Sequence, residues 1–492
     1  MTDSRCSESS AFLGIDQGSQ STKAVVLDCT GRELFRHSVT VSTSNPSADV
    51  YEQDASELVE SVQQVIDVAL QWSVKEQRTI VCLGLACQQS GVLAWDCLST
   101  EACSPVLTWR DLRTQDHFSG LLGKRELIQS ETGLPLNAHY AGTKLALLQS
   151  EFQSRDIEVG TLDSFLALKL SGDRTLRICR SAASRSLLYS LHSMDWSEQL
   201  CDLFGVDHAR LPQLKSCLSD WGSYRDIPIQ AVIGDQQAGY LGLAHGFDAI
   251  LLNMGTVSTV LRGRSTASVA PGCVSMVLAT ADDLSGFPLY GIAAHINASG
   301  GVLSYIKAKQ LVESESDIDL ILLNRTPSAS VGYFPLGGTA TPLWRSNVPC
   351  AVVNWDRDNS AGLLQSLIEN IGSFVVSSIA HLREQQVVTD SDRELFVSGG
   401  VSRSDYLLQY IADCSGMRIR RLCCSELSAR GAVVAAMLAG GVVSNVCDLR
   451  AMTEDRHFSP GTSGAQERYH IWCELQQRAL ACDLRKDERY DP

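Results

Sequence analysis

The chain has 492 residues, of which 44% are hydrophobic and 20% are charged. This length exceeds that of one ordinary hydrophobic core and predicts roughly two to three globular domains. The formal net charge of −15 argues against a large surface for nucleic acid or anionic membrane, because such partners require a concentrated positive field. Small anionic molecules are compatible with this charge, since they need only a local positive site.

The sequence shows no sign of export or of a membrane anchor. Its first residues lack the apolar core of a signal peptide. The longest nearly apolar stretch, 431–443, is shorter than the roughly 20 residues of a membrane helix. The 17 cysteines are odd in number and show no Cys-x-x-Cys spacing, so we expect reduced, mostly buried thiols. We therefore expect a cytoplasmic protein.

The first half of the chain alternates predicted strands and helices. A helix is expected from about Asp54, where apolar residues recur at helical spacing. We expect 92–96 to be the antiparallel neighbour of a buried strand over 80–87. The other predicted elements are strand pairs over 12–28 and 33–41, a helix near 143–149, a helix start within 160–164 and a strand over 231–233.

The second half repeats this alternation on a different spacing. Its predicted elements are strands over 250–253, 260–261 and 395–397, and helices over 302–311, 361–385, 405–414 and 464–489. We place the domain boundary within 242–246. Residues 1–244 are then a first domain, 245–450 a second, and 451–492 a helical tail.

One short pattern occurs twice, about half a chain apart. It reads Gly18-Ser19-Gln20-Ser21-Thr22 behind Asp16, and Gly255-Thr256-Val257-Ser258-Thr259. In both copies a buried strand enters a turn of glycine and hydroxyl residues, and a second apolar strand follows. This predicts two β-hairpins whose tips offer backbone N–H groups and hydroxyls to an anion. A single such turn is more often merely structural, but two matched copies favour two similar domains.

Two aspartates directly follow predicted strands. Asp16 precedes the first glycine turn, where a carboxylate would repel a bare triphosphate unless a magnesium ion lay between them. Its structural alternative is a cap of the turn. Asp235 opens a helix in Gly234-Asp235-Gln236-Gln237, and its structural alternative is a helix N-cap. Beside amides suited to hydroxyl groups, Asp235 is typical of a base that accepts the proton of an alcohol.

A third glycine turn, Gly399-Gly400-Val401-Ser402, follows the predicted strand over 395–397. Adjacent glycines let a backbone lie flat against a nucleotide base or ribose. A tight structural turn is the alternative. The sequence has no Gly-x-x-x-x-Gly-Lys-Ser/Thr pattern, so a P-loop is not the nucleotide site. We expect any ATP to be held by the hairpins.

Taken in order along nearly the whole chain, these motifs resemble the FGGY family of carbohydrate kinases. The resemblance implies an α/β fold of two ribonuclease-H-like domains, of the actin and hexokinase type, around a central cleft. It implies ATP and Mg²⁺ as cofactors and a small sugar or polyol as the partner. We expect no nucleic-acid or membrane partner and leave a homodimer open. The segments that carry the resemblance include Gly14-Ile15-Asp16-Gln17-Gly18-Ser19, Gln53-Asp54, Thr108-Trp109-Arg110-Asp111, Gly142-Thr143-Lys144-Leu145, Gly234-Asp235-Gln236-Gln237, Met254-Gly255-Thr256, Ser398-Gly399-Gly400 and Ala429-Arg430-Gly431-Ala432.

The resemblance also implies roles for individual residues in transfer of the γ-phosphate of ATP to a hydroxyl. Asp235 matches the general base, and Asp16, together with Asp235, matches the acids that hold magnesium. The implied ATP-binding residues are Gly18, Ser19, Ser21, Thr22, Lys23, Gly255, Thr256, Gly399, Gly400, Ser402 and Ser404. The candidate substrate contacts are Gln88, Gln89, Ser90, His139, Asp235 and Gln236.

The substrate signature departs from that of the glycerol kinases, which the motifs otherwise resemble most. Their Asn-Gln-Arg-Glu is here Cys87-Gln88-Gln89-Ser90, so the Arg and Glu that grip two hydroxyls have become a neutral amide and a small hydroxyl. Loss of these partners disfavours glycerol and leaves room for a longer polyol or a ketose. The alternatives are a glycerol kinase with a modified pocket and an ATP-hydrolysing switch protein of the same superfamily.

Overall fold

The computed structural model describes residues 6–282, 284–356, 359–423, 426–449, 454–462 and 464–484. Two domains follow one another along the chain, each built on a large mixed sheet. The strands of the first domain are β1 (Ser10–Gln17), β2 (Ser21–Leu27), β3 (Glu33–Thr40), β4 (Ser44–Ser47), β5 (Val50–Gln53), β6 (Thr79–Cys87), β7 (Val92–Asp96), β8 (Val106–Leu107), β9 (Ile157–Thr161), β10 (Arg177–Cys179), β11 (Tyr189–Ser190), β12 (Asp195–Trp196), β13 (Gln213–Lys215), β14 (Ser223–Tyr224) and β15 (Ile227–Gly234).

The helices of the first domain connect these strands. They are α1 (Ala55–Lys75), α2 (Arg125–Thr132), α3 (Ala141–Glu151), α4 (Leu162–Ser171), α5 (Arg180–Ala183), α6 (Glu198–Phe204) and α7 (Asp235–Leu241), with 3-10 helices at Gln115–Lys124 and His208–Arg210. Helix α1 begins where the sequence predicts, because the Asp54 carboxylate accepts hydrogen bonds from the N–H groups of Ser56 (2.7 Å) and Glu57 (3.1 Å).

The second domain continues the alternation. Its strands are β16 (Ile250–Met254), β17 (Ser258–Arg264), β18 (Val274–Ala279), β19 (Leu289–Ile296), β20 (Val331–Tyr333), β21 (Ala351–Val353), β22 (Glu394–Ser398), β23 (Arg418–Leu422) and β24 (Glu454–Phe458). Its helices are α8 (Gly300–Ala308), α9 (Ser316–Leu322), α10 (Ser360–Glu384), α11 (Asp405–Ser415), α12 (Leu427–Ala439) and α13 (Ala465–Leu484), with 3-10 helices at Gly400–Arg403 and Val446–Asp448.

The two large sheets share one strand arrangement, as the repeated hairpin predicts. The first has the order β14-β15-β6-β1-β2-β3 and the second β18-β19-β17-β16-β22-β23-β24. In the first sheet, the β1-β2 hairpin is part of an antiparallel meander, and β1 runs parallel to β6 and β15. In the second sheet, the β16-β17 hairpin is part of another antiparallel meander, and β16 runs parallel to β22 and β23. The carboxyl ends of parallel strands meet at one sheet edge, so each domain collects its strand-end loops there.

The predicted pairing of residues 92–96 with the strand over 80–87 is wrong. Strand β7 has the predicted bounds, but it pairs with β8 and β9 in a separate five-stranded sheet of order β4-β5-β8-β7-β9. The reason is that β6 already has β1 on one edge and β15 on the other, so neither edge is free for β7.

Helix α12 crosses from the second half of the chain to the first domain. It packs against β1, β6 and α7, whereas α1 covers the opposite face of β1. Arg430, on α12, reinforces this packing by donating hydrogen bonds to the carbonyl oxygens of Gly242 (3.0 Å) and Gly31 (2.7 Å). The division of the chain at residues 244 and 245 stays a prediction.

The second domain has its own hydrophobic core, centred on α10. Among the described residues, α10 is the one helix long and apolar enough to cross a membrane, and 83% of its apolar window is buried inside the protein. Such burial is typical of the core helix of a soluble protein. Helix α13 covers this core with Trp472. The centroid of its ring lies 4.9 Å from that of Phe374 and 5.3 Å from that of Tyr333.

Candidate active site

The residues predicted to do chemistry lie at facing strand ends. In the first sheet, β1 ends at Asp16 and Gln17, β6 is followed by Gln88, and β15 leads directly into Asp235. In the second sheet, β16 leads into Gly255 and its parallel neighbour β22 leads into the Gly399 turn. The sequence predicted that Asp16, Asp235 and the glycine turns follow buried strands, and the family resemblance implied that they face a cleft.

A cavity of about 670 Å³ lies between the two domains and is lined by both. Of the predicted site residues, its lining includes Ser19, Lys23, Gln88, Gln89, His139, Asp235, Gln236, Gly255 and Thr256. The lining does not include Asp16, Gly18, Ser21, Thr22, Ser90, Gly399, Gly400, Ser402 or Ser404. The structure therefore brings most of the predicted substrate contacts into one cavity with Ser19 and Lys23 of the first hairpin and Gly255 and Thr256 of the second.

Asp235 lies on the cavity wall at the first turn of α7. Its Oδ1 accepts a hydrogen bond from the Gln236 N–H at 2.8 Å, which holds the carboxylate at the end of β15. Burial in the cleft raises the pKa of Asp235 to about 6, although the N–H of Gln236 and the charge of Arg185 act in the opposite direction. The carboxylate is therefore mostly ionised at neutral pH and able to accept a proton.

Asp16 is a partly exposed residue at the end of β1, which β6 separates from β15. Its Oδ1 is buried, and no residue that the structure describes hydrogen-bonds to it. Burial, followed by the negative charge of Asp235, raises the pKa of Asp16 to about 7, while Lys23 lowers it. A buried carboxylate oxygen without a partner is unfavourable unless a ligand binds to it.

The first hairpin presents alternate residues to the cavity. The Gly18 N–H donates to the Ser21 carbonyl at 3.1 Å and closes the turn, so Ser19 and Lys23 face the cleft. Thr22 points to the opposite face, where its hydroxyl lies 2.6 Å from that of Ser61 on α1. Thr22, which was predicted to bind ATP, therefore has a side chain that faces the core of the domain.

Lys23 also connects the two domains. Its ammonium nitrogen lies 2.6 Å from Oε2 of Glu426, immediately before α12. The two side chains are 30% and 20% exposed, respectively. This ion pair fixes the position of the one cation that the first hairpin brings to the cavity.

The second hairpin is braced from behind by the start of α8. The Gly255 carbonyl accepts hydrogen bonds from the Gly300 N–H (3.1 Å) and the Ser299 hydroxyl (3.2 Å). A Cβ at Gly300 would lie 2.8 Å from Cα of Thr256, so glycine is required for this approach. Gly255 and Thr256 are thereby held at the cavity wall opposite the first domain.

The two glycines of the third turn, Gly399 and Gly400, differ in how closely other atoms pack against them. Gly399 has φ +102°, and a Cβ there would lie 2.4 Å from the Met254 carbonyl oxygen, so this glycine permits close packing behind the second hairpin. A Cβ at Gly400 would meet no atom within 4 Å, which leaves its surface open. Ser402 donates to the Gly399 carbonyl at 2.6 Å, and Ser404 is the N-cap of α11, so both hydroxyls have structural partners.

Gln88 presents an acceptor to the cavity. Its Nε2 donates to Oε1 of Gln53 at 2.8 Å and to Oε1 of Gln17 at 3.2 Å, which uses both amide hydrogens. Its Oε1 is buried and has no partner among the described residues. Gln53 in turn donates to the Ser19 carbonyl at 3.0 Å. A network of amides therefore joins the substrate side of the cavity to the first phosphate hairpin.

The two positions that depart from the glycerol kinase signature have structural partners. Gln89 lines the cavity and donates to the Ser181 carbonyl at 3.2 Å. Ser90 has φ +62°, and its hydroxyl donates to the Arg185 carbonyl at 3.2 Å. Ser90, which the sequence analysis named as a substrate contact, is therefore buried, and its hydroxyl binds the backbone of Arg185.

His139 belongs to an aromatic wall with Trp109 and Tyr140, whose ring centroids each lie 5.2 Å from that of His139. Buried Lys144 fixes this wall by donating to the carbonyls of His139 (3.0 Å) and Thr108 (2.9 Å). Burial, followed by the charge of Arg185, holds the pKa of His139 well below its usual value, so the imidazole is neutral. A neutral imidazole both donates and accepts hydrogen bonds.

Several cavity residues were not found from the sequence. They include Arg185 after α5, His295 at the end of β19, and Trp344 and Arg345 in a loop of the second domain. None lies in a glycine turn or directly after a strand that the sequence predicted. No local pattern marks them, because they reach the cavity only when distant segments fold together.

The implied magnesium ion fits the residues present. Among the described residues, no group of three or more His, Cys, Asp or Glu could hold a metal ion alone. Magnesium in phosphoryl-transfer sites is instead bound through one or two carboxylates together with substrate phosphates and water. Asp16, with its unpartnered buried oxygen, and nearby Asp235 supply such a pair.

Comparisons with known proteins agree with this geometry. The chain is 26% identical to a glycerol kinase of Halothermothrix orenii over 96% of this chain and 98% of that enzyme. It is 28% identical to a glycerol kinase of Synechocystis, over 87% and 90% of the two chains. The solved structure of Plasmodium falciparum glycerol kinase with ADP superposes with a TM-score of 0.87 at 20% identity, over 96% of this chain and 98% of that one.

A ligand-bound xylulose kinase of Lactobacillus acidophilus superposes with a TM-score of 0.83 at 18% identity, over 96% of this chain and 99% of that one. Residues 11–242 match the model of the N-terminal domain of FGGY carbohydrate kinases, and residues 250–440 match that of the C-terminal domain. The predicted family, the two-domain actin-like fold and the enzyme class are confirmed. The chain belongs to the FGGY family of carbohydrate kinases, which phosphorylate an alcohol group of a sugar or polyol with ATP and Mg²⁺.

Proposed function

We propose that this kinase transfers the γ-phosphate of ATP to a hydroxyl of a polyol or ketose longer than glycerol, with Asp235 as the general base. The observation that carries the proposal is the position of Asp235. Its carboxylate lies on the wall of a cavity whose opposite wall is the Gly255-Thr256 turn of the other domain. An acceptor hydroxyl beside Asp235 would therefore face a phosphate bound at that turn.

The proposed proton transfer matches the charge state of Asp235. Phosphoryl transfer passes through a loose transition state, in which the base accepts the proton late while orienting the acceptor oxygen. With a pKa of about 6, Asp235 is mostly ionised at neutral pH but basic enough to take that proton. The Gln236 N–H donates to one carboxylate oxygen and leaves the other for the substrate.

The phosphate side of the cavity is cationic and rich in backbone donors. Lys23 from the first hairpin and the Gly255-Thr256 turn from the second would hold the phosphates. Magnesium, held by Asp16 beside Asp235, would neutralise negative charge on the phosphoryl oxygens. Closure of the cleft would exclude water, which otherwise competes as acceptor.

The substrate side offers acceptors rather than an Arg and Glu pair. The Oε1 atoms of Gln88 and Gln236 are buried without partners among the described residues, so each can accept from a substrate hydroxyl. His139 adds a neutral imidazole. These groups support a polyhydroxylated substrate, and the smaller side chains at positions 89 and 90 support one longer than glycerol. The cytoplasmic location and the homodimer stay predictions.

An ADP-release screen tests the proposal. It covers glycerol, tetritols, pentitols, ketopentoses, ketoheptoses and the corresponding sugar acids, with purified wild-type protein, ATP and Mg²⁺. We expect at least one acceptor to stimulate ADP release, and Asp235→Asn to lower its turnover by about 10²–10⁴-fold, as for a lost general base. Asp390→Asn, an exposed substitution outside the cavity, is the matched control.

The curated glycerol kinases similar to this chain favour a second candidate, a glycerol kinase with a modified pocket. Glycerol as the best acceptor in the same screen would support it against the first. Steady ATP hydrolysis that no acceptor changes, equal in wild type and Asp235→Asn, would contradict both and favour an ATP-hydrolysing switch.

A further inference from the structure

A buried arginine that no sequence motif identified lies on the substrate side of the cavity. Arg185 is 3% exposed, and its guanidinium lies over the ring of Tyr140 at 5.0 Å. Its Nε and Nη1 are buried, and neither has a hydrogen-bond partner in the described part of the chain. No carboxylate of those residues forms an ion pair with it. The charge of Arg185 acts on Asp235, but its two buried N–H donors have no acceptor among those residues, so the site is arranged for a ligand that supplies acceptor oxygens.

Two of the cations that line the cavity act on different titratable groups. The positive charge of Lys23 lowers the pKa of Asp16, on the phosphate side. The positive charge of Arg185 acts instead on Asp235 and on the imidazoles of His139 and His295, whose pKa values it lowers. Arg185 lies over the ring of Tyr140, so it belongs to the aromatic wall with His139, where the body of the acceptor would lie.

The charged side chains of the lining are Lys23, Arg185, Arg345 and Asp235. Lys23 is paired with Glu426. Both histidines are neutral, His295 with a pKa lowered by burial to about 3. A neutral polyol would offer the two buried N–H groups of Arg185 only hydroxyl oxygens, whereas Asp235, the carboxylate on which its charge acts, is used as the base in the proposed function.

The departure from the glycerol kinase signature bears directly on Arg185. The signature has Glu where this chain has Ser90, and the Ser90 hydroxyl donates to the Arg185 carbonyl at 3.2 Å. A glutamate at that position would bring a carboxylate to the segment of Arg185, whereas serine brings none. The Val277 N–H donates to the Ser184 hydroxyl at 3.2 Å, which further fixes this segment.

We propose that Arg185 is the specificity-determining residue of this kinase, and that it binds a carboxylate at the end of the acceptor remote from the phosphorylated hydroxyl. The substrate class is then the polyhydroxy carboxylic acids. This inference rests on the proposed kinase function and names the substrate class for the same site. The acid supplies the anionic acceptor that Nε and Nη1 of Arg185 lack among the described residues, while Gln88, Gln236 and His139 bind its hydroxyls.

The test compares aldonates with the alditols of the same chain length and configuration, in wild type and in Arg185→Met, Arg185→Lys and Ser90→Glu. We expect wild type to favour an aldonate by roughly 10²-fold in kcat/KM, the effect of one desolvated charge pair. Arg185→Met should lose that preference mainly through KM, and Arg185→Lys should retain part of it. Ser90→Glu, which places a carboxylate near Arg185, should shift the preference toward alditols.

Calorimetric titration of the aldonate into wild type and Arg185→Met provides a readout independent of turnover, and thermal denaturation checks that each variant is folded. Equal use of aldonates and alditols by wild type would overturn the inference while leaving the kinase function intact. So would an Arg185→Met variant that loses acids and neutral polyols equally, since that indicates a structural role. If no acceptor of either class stimulates ADP release by wild type, the proposed function itself fails.

Discussion

Two carboxylates of the cleft have different environments although they lie on neighbouring parts of one sheet. Asp235 has a backbone donor and the charge of Arg185 to stabilise its ionised form, and its pKa is raised only to about 6. Asp16 has an unpartnered buried oxygen and the negative charge of Asp235 beside it, and its pKa is raised to about 7. The two carboxylates thus differ in their partners, which supports the proposed roles of Asp235 as base and of Asp16 as metal ligand.

The pKa of Asp235 predicts how turnover depends on pH. A base must be ionised, and the ionised fraction falls as the pH drops through about 6. We expect kcat/KM for the acceptor, which reports the free enzyme, to be level above about pH 7 and to fall about tenfold per pH unit well below 6. Removal of Arg185 should raise the pKa, so the Arg185→Met profile should bend at higher pH. Coincident profiles for the two proteins would contradict this assignment.

At the scale of elements, helix α12 joins the two halves of the molecule through glycine contacts. A Cβ at Gly431 would lie 1.6 Å from the Ala238 carbonyl oxygen on α7. Cβ atoms at Gly14 and Gly84, on β1 and β6, would lie 2.1 Å and 2.0 Å from carbonyl oxygens of α12. The helix therefore packs at backbone distance, and the sheet holding Asp16 and Gln88 depends on that contact for its position.

Substitution of Gly431 tests this packing. We expect Gly431→Ala to reduce the free energy of unfolding by about 1–3 kcal/mol, because the added methyl group forces two backbones apart. Urea denaturation followed by circular dichroism measures the change. Gly464→Ala is the matched control, since a Cβ there would meet no atom within 4 Å. Equal stability of the two variants would show that α12 can move away from α7 without cost.

At the scale of the whole molecule, the active site belongs to neither domain alone. The first domain supplies Asp235, Gln88 and Lys23, whereas the second supplies the Gly255-Thr256 turn and the loop carrying Arg345. The Lys23–Glu426 ion pair joins them at the edge of the cleft. Ligands that contact both walls should therefore favour a closed arrangement of the domains.

Closure can be measured by small-angle X-ray scattering. We expect the radius of gyration to decrease when a non-hydrolysable ATP analogue, Mg²⁺ and the accepted substrate are all present, and to change less with either ligand alone. Asp235→Asn should still close, because its defect lies in the chemical step. An unchanged radius of gyration with both ligands bound would place catalysis in a cleft that is already closed.

Much of this protein was determined by local sequence. The two hairpins, the strand-end positions of Asp16 and Asp235, and the N-cap of α1 at Asp54 all follow from patterns a few residues long, because turn glycines, buried apolar runs and caps act locally. The order of these motifs also identified the family. The sequence did not show which residues of β2 would face the cleft, so the resemblance assigned Thr22 to ATP although its hydroxyl contacts that of Ser61.

Only the tertiary structure decided which distant segments meet. Strand β7 joined a separate sheet because both edges of β6 were occupied, and Ser404 became the N-cap of α11. Arg185, His295 and Trp344 lie far apart along the chain and carry no local signature, yet they line one cavity. Their positions depend on long-range packing, which short patterns do not encode, and for that reason the strand-end position of Asp235 was predictable while the place of Arg185 in the cavity was not.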